Sequence, residues 1–312
     1  MKIVFLDRKT IGEDLDLSGF DRFGEVIMYD FSSPDEVPER VTDADIIVLN
    51  KTQINEKTIH TAKNLKLVCV TATGTNNLDK EYLDKRGIAW RNVAGYSTET
   101  VAQHTFAMLF YLLEHLPYYD EYVKSGTYAG DRLFTHFARN FHELNGLNYG
   151  IIGLGAIGHR VAEIAETFGC NVRYYSTSGK NHDTKYKELS FDELLSTSDI
   201  ISVHAPLNSD TENLINKEAL SKMKKNAIFL NLGRGPIVVE KDLCDAIDSG
   251  TIAGAGLDVL CVEPMETDSP FLKMKKKDNI IITPHIAWAS VEARRRLMAI
   301  IEEQIAEFLK NK

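Results

Sequence analysis

Short aliphatic and β-branched runs alternate with helix-like stretches along the whole chain, and no other feature constrains the fold as much. Such runs read as strands buried on both faces. Parallel strands need a crossover of a dozen or more residues, which an amphipathic helix supplies. A first set of strands is expected at 2–6, 25–29, 45–49, 67–70 and 88–91, with helices at 34–41 and 55–63 between them. A second set is expected at 148–152, 171–175, 199–204, 226–230, 254–259 and 279–282. Hairpins and helical bundles do not give this pattern. With 312 residues, and roughly 100–200 to a domain, the two sets predict two doubly wound parallel α/β sheets, each with its own core.

The segment 97–116 separates the sets as one long helix rich in Ala, Leu, Met and Phe, opened by the capping residues Ser97 and Thr98. The last helix, 290–309, places Leu297, Ile300, Ile301, Ile305 and Phe308 at steps of three and four, so that one face is buried. It is expected to pack back on the first domain. The expected boundaries are therefore 1–97 plus 288–312 for one domain and 98–287 for the other. Segment 125–145 is polar and aromatic without a clean period, and is expected to be a loop or a partner-facing arm. Together with the long apolar helix it predicts a homodimer.

A net charge of −9 gives the chain no global electrostatic reason to seek nucleic acid or anionic lipid. No apolar run approaches the roughly 18 residues needed to span a bilayer, and the N-terminal run at 3–6 is too short for a signal peptide. A cytoplasmic protein is expected, with no nucleic-acid or membrane partner. Cys69, Cys170, Cys244 and Cys261 lie far apart without a C-x-x-C pair, so reduced thiols and no metal site are expected. The basic cluster at Lys273, Lys275, Lys276 and Lys277 reads as a solvated turn.

Strand 148–152 runs into Gly153-Leu154-Gly155-Ala156-Ile157-Gly158 and then into a helical pattern at 161–168. This is the context of a Rossmann dinucleotide fingerprint. Gly153 permits the tight turn, Gly155 lets a pyrophosphate approach the backbone, and Gly158 lets helix and strand pack closely. The following helix N-terminus offers N–H groups and a positive dipole, so pyrophosphate is expected over Gly155, Ala156 and Ile157. After the next strand, where a carboxylate would accept from the ribose 2′-OH of NAD, the sequence reads Ser176-Thr177-Ser178-Gly179-Lys180-Asn181. Hydroxyls and Lys180 without that carboxylate favour NADP slightly over NAD, while Asp183 nearby keeps NAD open.

Three further segments follow strands, where open α/β sheets bind ligands. They are Asn231-Leu232-Gly233-Arg234-Gly235, the stretch from Asp258 through Cys261 to Glu263-Pro264, and Thr283-Pro284-His285. With the glycine loop they resemble the D-isomer-specific 2-hydroxyacid dehydrogenases over essentially the whole chain. Ala72-Thr73-Gly74-Thr75-Asn76, the stretch from Gly95 to His104 and Asn50-Lys51-Thr52 look most like the glycerate dehydrogenase or hydroxypyruvate reductase branch.

The resemblance implies an NAD(P)-dependent oxidoreductase with its active site in the cleft between two Rossmann-like domains, the first binding substrate and the second the dinucleotide. It makes Arg234 the substrate-binding arginine, His285 the acid/base and Glu263 its partner, with Thr73 and Gly74 holding the substrate carboxylate and Lys51 beside them. Asp258 would line the nicotinamide pocket, and His204, Ala205 and Pro206 would lie beside the adenosine, with Leu232 and Gly233 also on the cofactor. The chemistry is coherent. Reduction of a 2-keto acid needs a proton donor at the ketone oxygen, a carboxylate beside a histidine favours the imidazolium and orients it, and arginine offers fixed paired donors at any working pH. His104, on an apolar helix face, reads as a core or interface histidine.

Hydroxypyruvate or glyoxylate leads as substrate. The aromatic stretch 128–141 leaves a bulkier 2-keto acid open. A nucleotide-sensing corepressor on the same fold is the alternative from another class, since fold alone does not fix function. Formate oxidation is disfavoured because those enzymes carry glutamine where Glu263 stands.

Overall fold

The computed structural model describes residues 1–180 and 182–311, so Asn181 of the polar stretch after the second cofactor-domain strand lies outside the described residues. The chain divides into two compact units, Met1–Ser97 with Trp288–Lys312, and Thr98–Ala287.

In the first unit, strands β1 (Lys2–Phe5), β2 (Glu25–Met28), β3 (Ile46–Leu49), β4 (Leu67–Val70) and β5 (Ala89–Arg91) form a parallel sheet of order β2-β1-β3-β4-β5. Alternate side chains enter different cores, as the two-residue period of a strand dictates. Ile3, Phe5, Ile46, Val48, Leu67 and Cys69 cluster with Leu297, Ile301 and Ile305 of the C-terminal helix. Val4, Leu6, Ile47, Leu49, Val68 and Val70 cluster with Val37, Ile59 and Leu83, which belong to the short helices α1 (Val37–Arg40), α2 (Glu56–Ile59) and α3 (Lys80–Lys85). The helices expected at 34–41 and 55–63 are thus each reduced to about one turn.

The second unit opens with α4 (Thr98–Leu113) and α5 (Leu116–Lys124). The single helix expected over 97–116 is corrected here: His115 takes left-handed backbone at φ +53°, and Pro117 sits in the first turn of α5, where it has no N–H to continue the preceding helix. The sheet contains β6 (Asn148–Ile152), β7 (Asn171–Tyr175), β8 (Lys187–Glu188), β9 (Ile200–Val203), β10 (Ile228–Asn231), β11 (Gly254–Leu257) and β12 (Ile280–Ile282). All pairs are parallel in the order β12-β11-β10-β9-β6-β7-β8. The connections diverge between β6 and β9, the switch point at whose carboxyl side such sheets bind ligands. The two-residue β8 is too short to announce itself in the sequence.

One face of this sheet is covered by α7 (Phe191–Thr197), α8 (Lys217–Lys222) and α9 (Glu240–Ser249), whose Leu194, Leu220 and Leu243 join Ile201, Phe229 and Leu257 in one core. On the other face α4 crosses at close range, because a Cβ on Gly256 of β11 would lie 3.3 Å from Met108 Cβ. Helix α6 (Ala156–Thr167) follows β6, and α10 (Val291–Lys310) closes the chain in the first unit. No helix among the described residues is long and apolar enough to cross a membrane.

Candidate active site

The glycine loop is built to three different constraints. Gly153 has φ +92°, and a Cβ there would meet Ala205 Cα at 2.8 Å. One on Gly158 would meet the Gly153 carbonyl oxygen at 2.3 Å. Around Gly155 there is nothing within 4 Å of the Cβ position. The first two are needed by the protein itself, whereas the openness over Gly155 leaves room for a ligand to reach the backbone. Side chains cap some of the helices, as Ser190 caps α7 and Ser290 caps α10. Gly155 caps α6 with no side chain, leaving the first-turn N–H groups to an anion. Ala156 is exposed and Ile157 half-buried at this tip.

Beside the loop, Ser176 follows β7 with a buried Oγ that has no partner among the described residues. Thr177 is half-buried, while Ser178 and Lys180 are exposed. Asp183 is committed elsewhere: its carboxylate accepts from the backbone N–H groups of Tyr186 at 2.9 Å and Lys185 at 2.6 Å, which lower its pKa. On the other side of β6, His204 Nε2 lies 3.0 Å from Ser202 Oγ, and its enclosed Nδ1 has no partner among the described residues. Burial pushes the imidazole down to about 3, so it is neutral. Ala205 abuts Gly153, Gly233 stands where a Cβ would meet the Ala205 carbonyl oxygen at 2.9 Å, and Leu232 is buried. Pro206 is exposed, and its carbonyl accepts from Thr211 Oγ1. The open backbone cradle, uncapped helix and two orphaned buried polar atoms fit a dinucleotide.

The remaining candidates leave the carboxyl ends of β10, β11 and β12. Asn231, Leu257 and Ile282 stand in register across the sheet. Arg234 and His285 each come three residues after that line, on the outer strands of the trio. Asn231 shapes the arginine turn, donating from Nδ2 to the Arg234 carbonyl at 3.0 Å and accepting the Gly233 N–H at 3.1 Å. Next to it, a Cβ on Gly235 would fall 2.0 Å from the carbonyl carbon of Leu260, so the arginine turn runs directly against the segment carrying Glu263. Glu263 accepts from the Leu260 N–H through Oε1 at 3.0 Å and from His285 Nδ1 through Oε2 at 2.7 Å. A carboxylate only accepts, so Nδ1 carries the hydrogen and Nε2 is left to face a reacting atom.

His285 adopts φ +54°, an unusual conformation for a side-chain-bearing residue, with its N–H bonded to the Thr283 carbonyl. Asp258 holds this turn. Buried to 2% exposure, it accepts from Thr283 Oγ1 at 2.6 Å and from the N–H groups of Ile286 and Ala287, each at 2.9 Å. Its carboxylate is thus engaged with the histidine turn.

In the first unit, Asp7 receives the N–H groups of Asn50, Lys51 and Thr52, fixing the loop after β3 and leaving the Lys51 side chain exposed. Asn77 donates to the carbonyls of Asn50 and Thr52, tying that loop to the one after β4. There Thr73, exposed, donates from Oγ1 to the Val93 carbonyl and accepts from Asn92 at its own carbonyl, while Gly74 is half-buried. Asp7 and Asn77 were not among the residues expected from sequence, because their partners lie far along the chain.

Residues 106–287 match the model of the D-isomer specific 2-hydroxyacid dehydrogenase NAD binding domain. The chain is 41% identical to a hydroxypyruvate reductase of Blautia hydrogenotrophica over 99% of its length and 97% of that protein. It belongs to the D-isomer specific 2-hydroxyacid dehydrogenase family. Among solved structures it is similar to an acyclic imino acid reductase in complex with NADPH and D-Arg, with TM-score 0.87 and 30% identity over 100% of this chain and 98% of that one. It is also similar to the D-lactate dehydrogenase of Aquifex aeolicus complexed with NAD and lactic acid, with TM-score 0.86 and 28% identity over 99% and 96%. This 2-hydroxyacid dehydrogenase is therefore an NAD(P)-dependent oxidoreductase. Among its described residues no group of three or more His, Cys, Asp or Glu could hold a metal ion.

Proposed function

We propose that this dehydrogenase reduces a small polar 2-keto acid, hydroxypyruvate or glyoxylate, to the D-2-hydroxy acid in the cytoplasm, as a homodimer that prefers NADPH modestly over NADH. The observation that carries the reading is the 2.7 Å pairing of His285 Nδ1 with Glu263, on a segment packed against the Arg234 turn. Bound along Gly155, Ala156 and Ile157, the dinucleotide supplies the hydride that the ketone carbon accepts. Arg234 binds and polarises the keto acid through fixed donors, and Thr73 and Gly74 take its carboxylate. His285 Nε2 delivers the proton to the oxygen as negative charge develops there, and Glu263 holds the ring in the tautomer and orientation this requires. Asp258 acts by holding the histidine turn. The hydroxyls of Ser176, Thr177 and Ser178 and the exposed Lys180 after β7, together with the commitment of Asp183 to its own turn, support NADPH. His204, Ala205, Pro206, Leu232 and Gly233 line the rest of the dinucleotide site.

The hydroxypyruvate reductase likeness supports the substrate class. Turnover measured on a panel of 2-keto acids with both reduced cofactors tests it. Hydroxypyruvate or glyoxylate should give the highest kcat/KM, and a bulky aliphatic or aromatic keto acid ahead of both would overturn the substrate assignment.

A further inference from the structure

Behind the His285 turn lies a second histidine that the mechanism above does not use. His104, in the second turn of α4, brings Nε2 to 3.0 Å from Thr283 Oγ1 and 3.7 Å from Asp258 Oδ1. The approach is set by Gly256. That glycine lets α4 pass over β11 at Met108, one helical turn beyond His104, while Asp258 lies two residues further on, just past the end of that strand. The helix therefore delivers an imidazole where the carboxyl ends of β11 and β12 turn.

Hydrogen-bond valence fixes the direction of this chain. Asp258 accepts only, so the Thr283 hydroxyl must spend its single hydrogen on Oδ1 at 2.6 Å. Thr283 Oγ1 can then only accept from His104, which must carry its hydrogen on Nε2. The buried carboxylate is satisfied by Thr283 and by the N–H groups of Ile286 and Ala287, which bracket His285 on its C-terminal side. Among the described residues, His104 is the ionisable partner within ion-pair reach of Asp258.

We propose that His104 is a positioning residue of the reaction, locking the Thr283–Asp258 pair so that the strained His285 turn keeps Nδ1 on Glu263 and Nε2 aimed outward. The inference rests on the acid/base role given to His285 above. A displacement of order 1 Å at the proton donor costs up to roughly 100-fold in rate, so losing this brace should lower kcat far more than it changes binding.

The test compares His104→Leu, His104→Gln, Thr283→Val and the Leu/Val double variant with the full-length protein, alongside His285→Ala as reference. Gln can place a side-chain N–H where His104 Nε2 stands, whereas Leu keeps the bulk and removes the donor. His104→Leu should lower reductive kcat by roughly 10- to 100-fold, with KM and NADPH affinity within about twofold, and Gln should restore most of the loss. The double variant should be no slower than the worse single one, as members of one chain are non-additive. The low-field proton resonance of the His285–Glu263 hydrogen bond should broaden or shift in His104→Leu and return in His104→Gln. Thermal melting identifies a variant that does not fold, and Thr283→Val then reads the same chain from its other end. A His104→Leu protein with unchanged kcat and unchanged resonance, or multiplicative losses in the double variant, would overturn the proposal. Near-normal activity in His285→Ala would instead sink the acid/base reading, and the resonance would still decide whether His104 positions His285.

Discussion

Glu263 reaches His285 with only one of its oxygens, because the other is held by the backbone N–H of Leu260. The carboxylate is therefore anchored before it orients the ring. Glu263→Gln should lower turnover in both directions, since a neutral amide in that place no longer fixes the Nδ1–H tautomer that leaves Nε2 to the substrate. His285→Ala should cut turnover in both directions by roughly 100- to 10,000-fold with cofactor affinity nearly intact. Steady-state kinetics in both directions check this, and near-normal turnover in either variant would contradict it.

Replacing Gly155 and Gly158 should give opposite phenotypes. A side chain on Gly155 meets no protein atom within 4 Å, so Gly155→Val should melt like the parent protein yet lose dinucleotide binding by calorimetry. On Gly158 the added carbon collides with the Gly153 carbonyl, and Gly158→Ala should lower stability by about 1–3 kcal/mol. Unchanged NADPH affinity in Gly155→Val would remove the cradle assignment.

For cofactor choice, a carboxylate placed at Ser176 would accept from a ribose 2′-OH and repel a 2′-phosphate. Ser176→Asp should swing preference from NADPH to NADH in kcat/KM. A parent enzyme already at least roughly tenfold better with NADH, about 1.4 kcal/mol in transition-state stabilisation, would refute the NADPH assignment.

His204 gives an acid-side prediction. Its folded-state value of about 3 lies below the ordinary 6.5, so the unfolded chain takes up the proton first. Stability is unaffected well above 6.5 and falls as pH drops toward 3, by about 2 kcal/mol at pH 5. Denaturant titrations at about pH 7 and pH 5 should show this loss, and His204→Gln should shrink it.

The arm beyond α5 supplies the dimer prediction. His136 of the arm stacks on Tyr122 of α5 at 3.9 Å, while Phe134 and Phe137 remain 90% and 81% exposed. Light scattering should give a dimer at micromolar concentration, and Phe134→Ser with Phe137→Ser should shift it toward monomer. A strictly monomeric parent protein would rule the dimer out.

Strands such as Leu67–Val70 and Ile200–Val203 could be read from sequence because a parallel strand covered on both faces is a continuous apolar run. Helix ends were less legible. The break at His115 depends on one residue entering left-handed backbone, and Pro117 two positions on is its one local signal. The glycine loop and the His285 turn were legible as local motifs. His104 was not, since what distinguishes it from a core histidine is a hydroxyl 179 residues away. Asp7 and Asn77 were hidden likewise, their meaning lying in loops 43 and 27 residues distant.

The registered line of Asn231, Leu257 and Ile282 acts as a ruler. Adjacent strands are held about 4.8 Å apart by their ladder, so the spacing of the groups beyond them is dictated by backbone hydrogen bonding, not by the length of the segments that join the strands. The exposed stretch from Pro264 to Asp268 can therefore vary in length and sequence without moving Arg234 or His285, while Phe271 and Met274 pin the rest of that connection into the core.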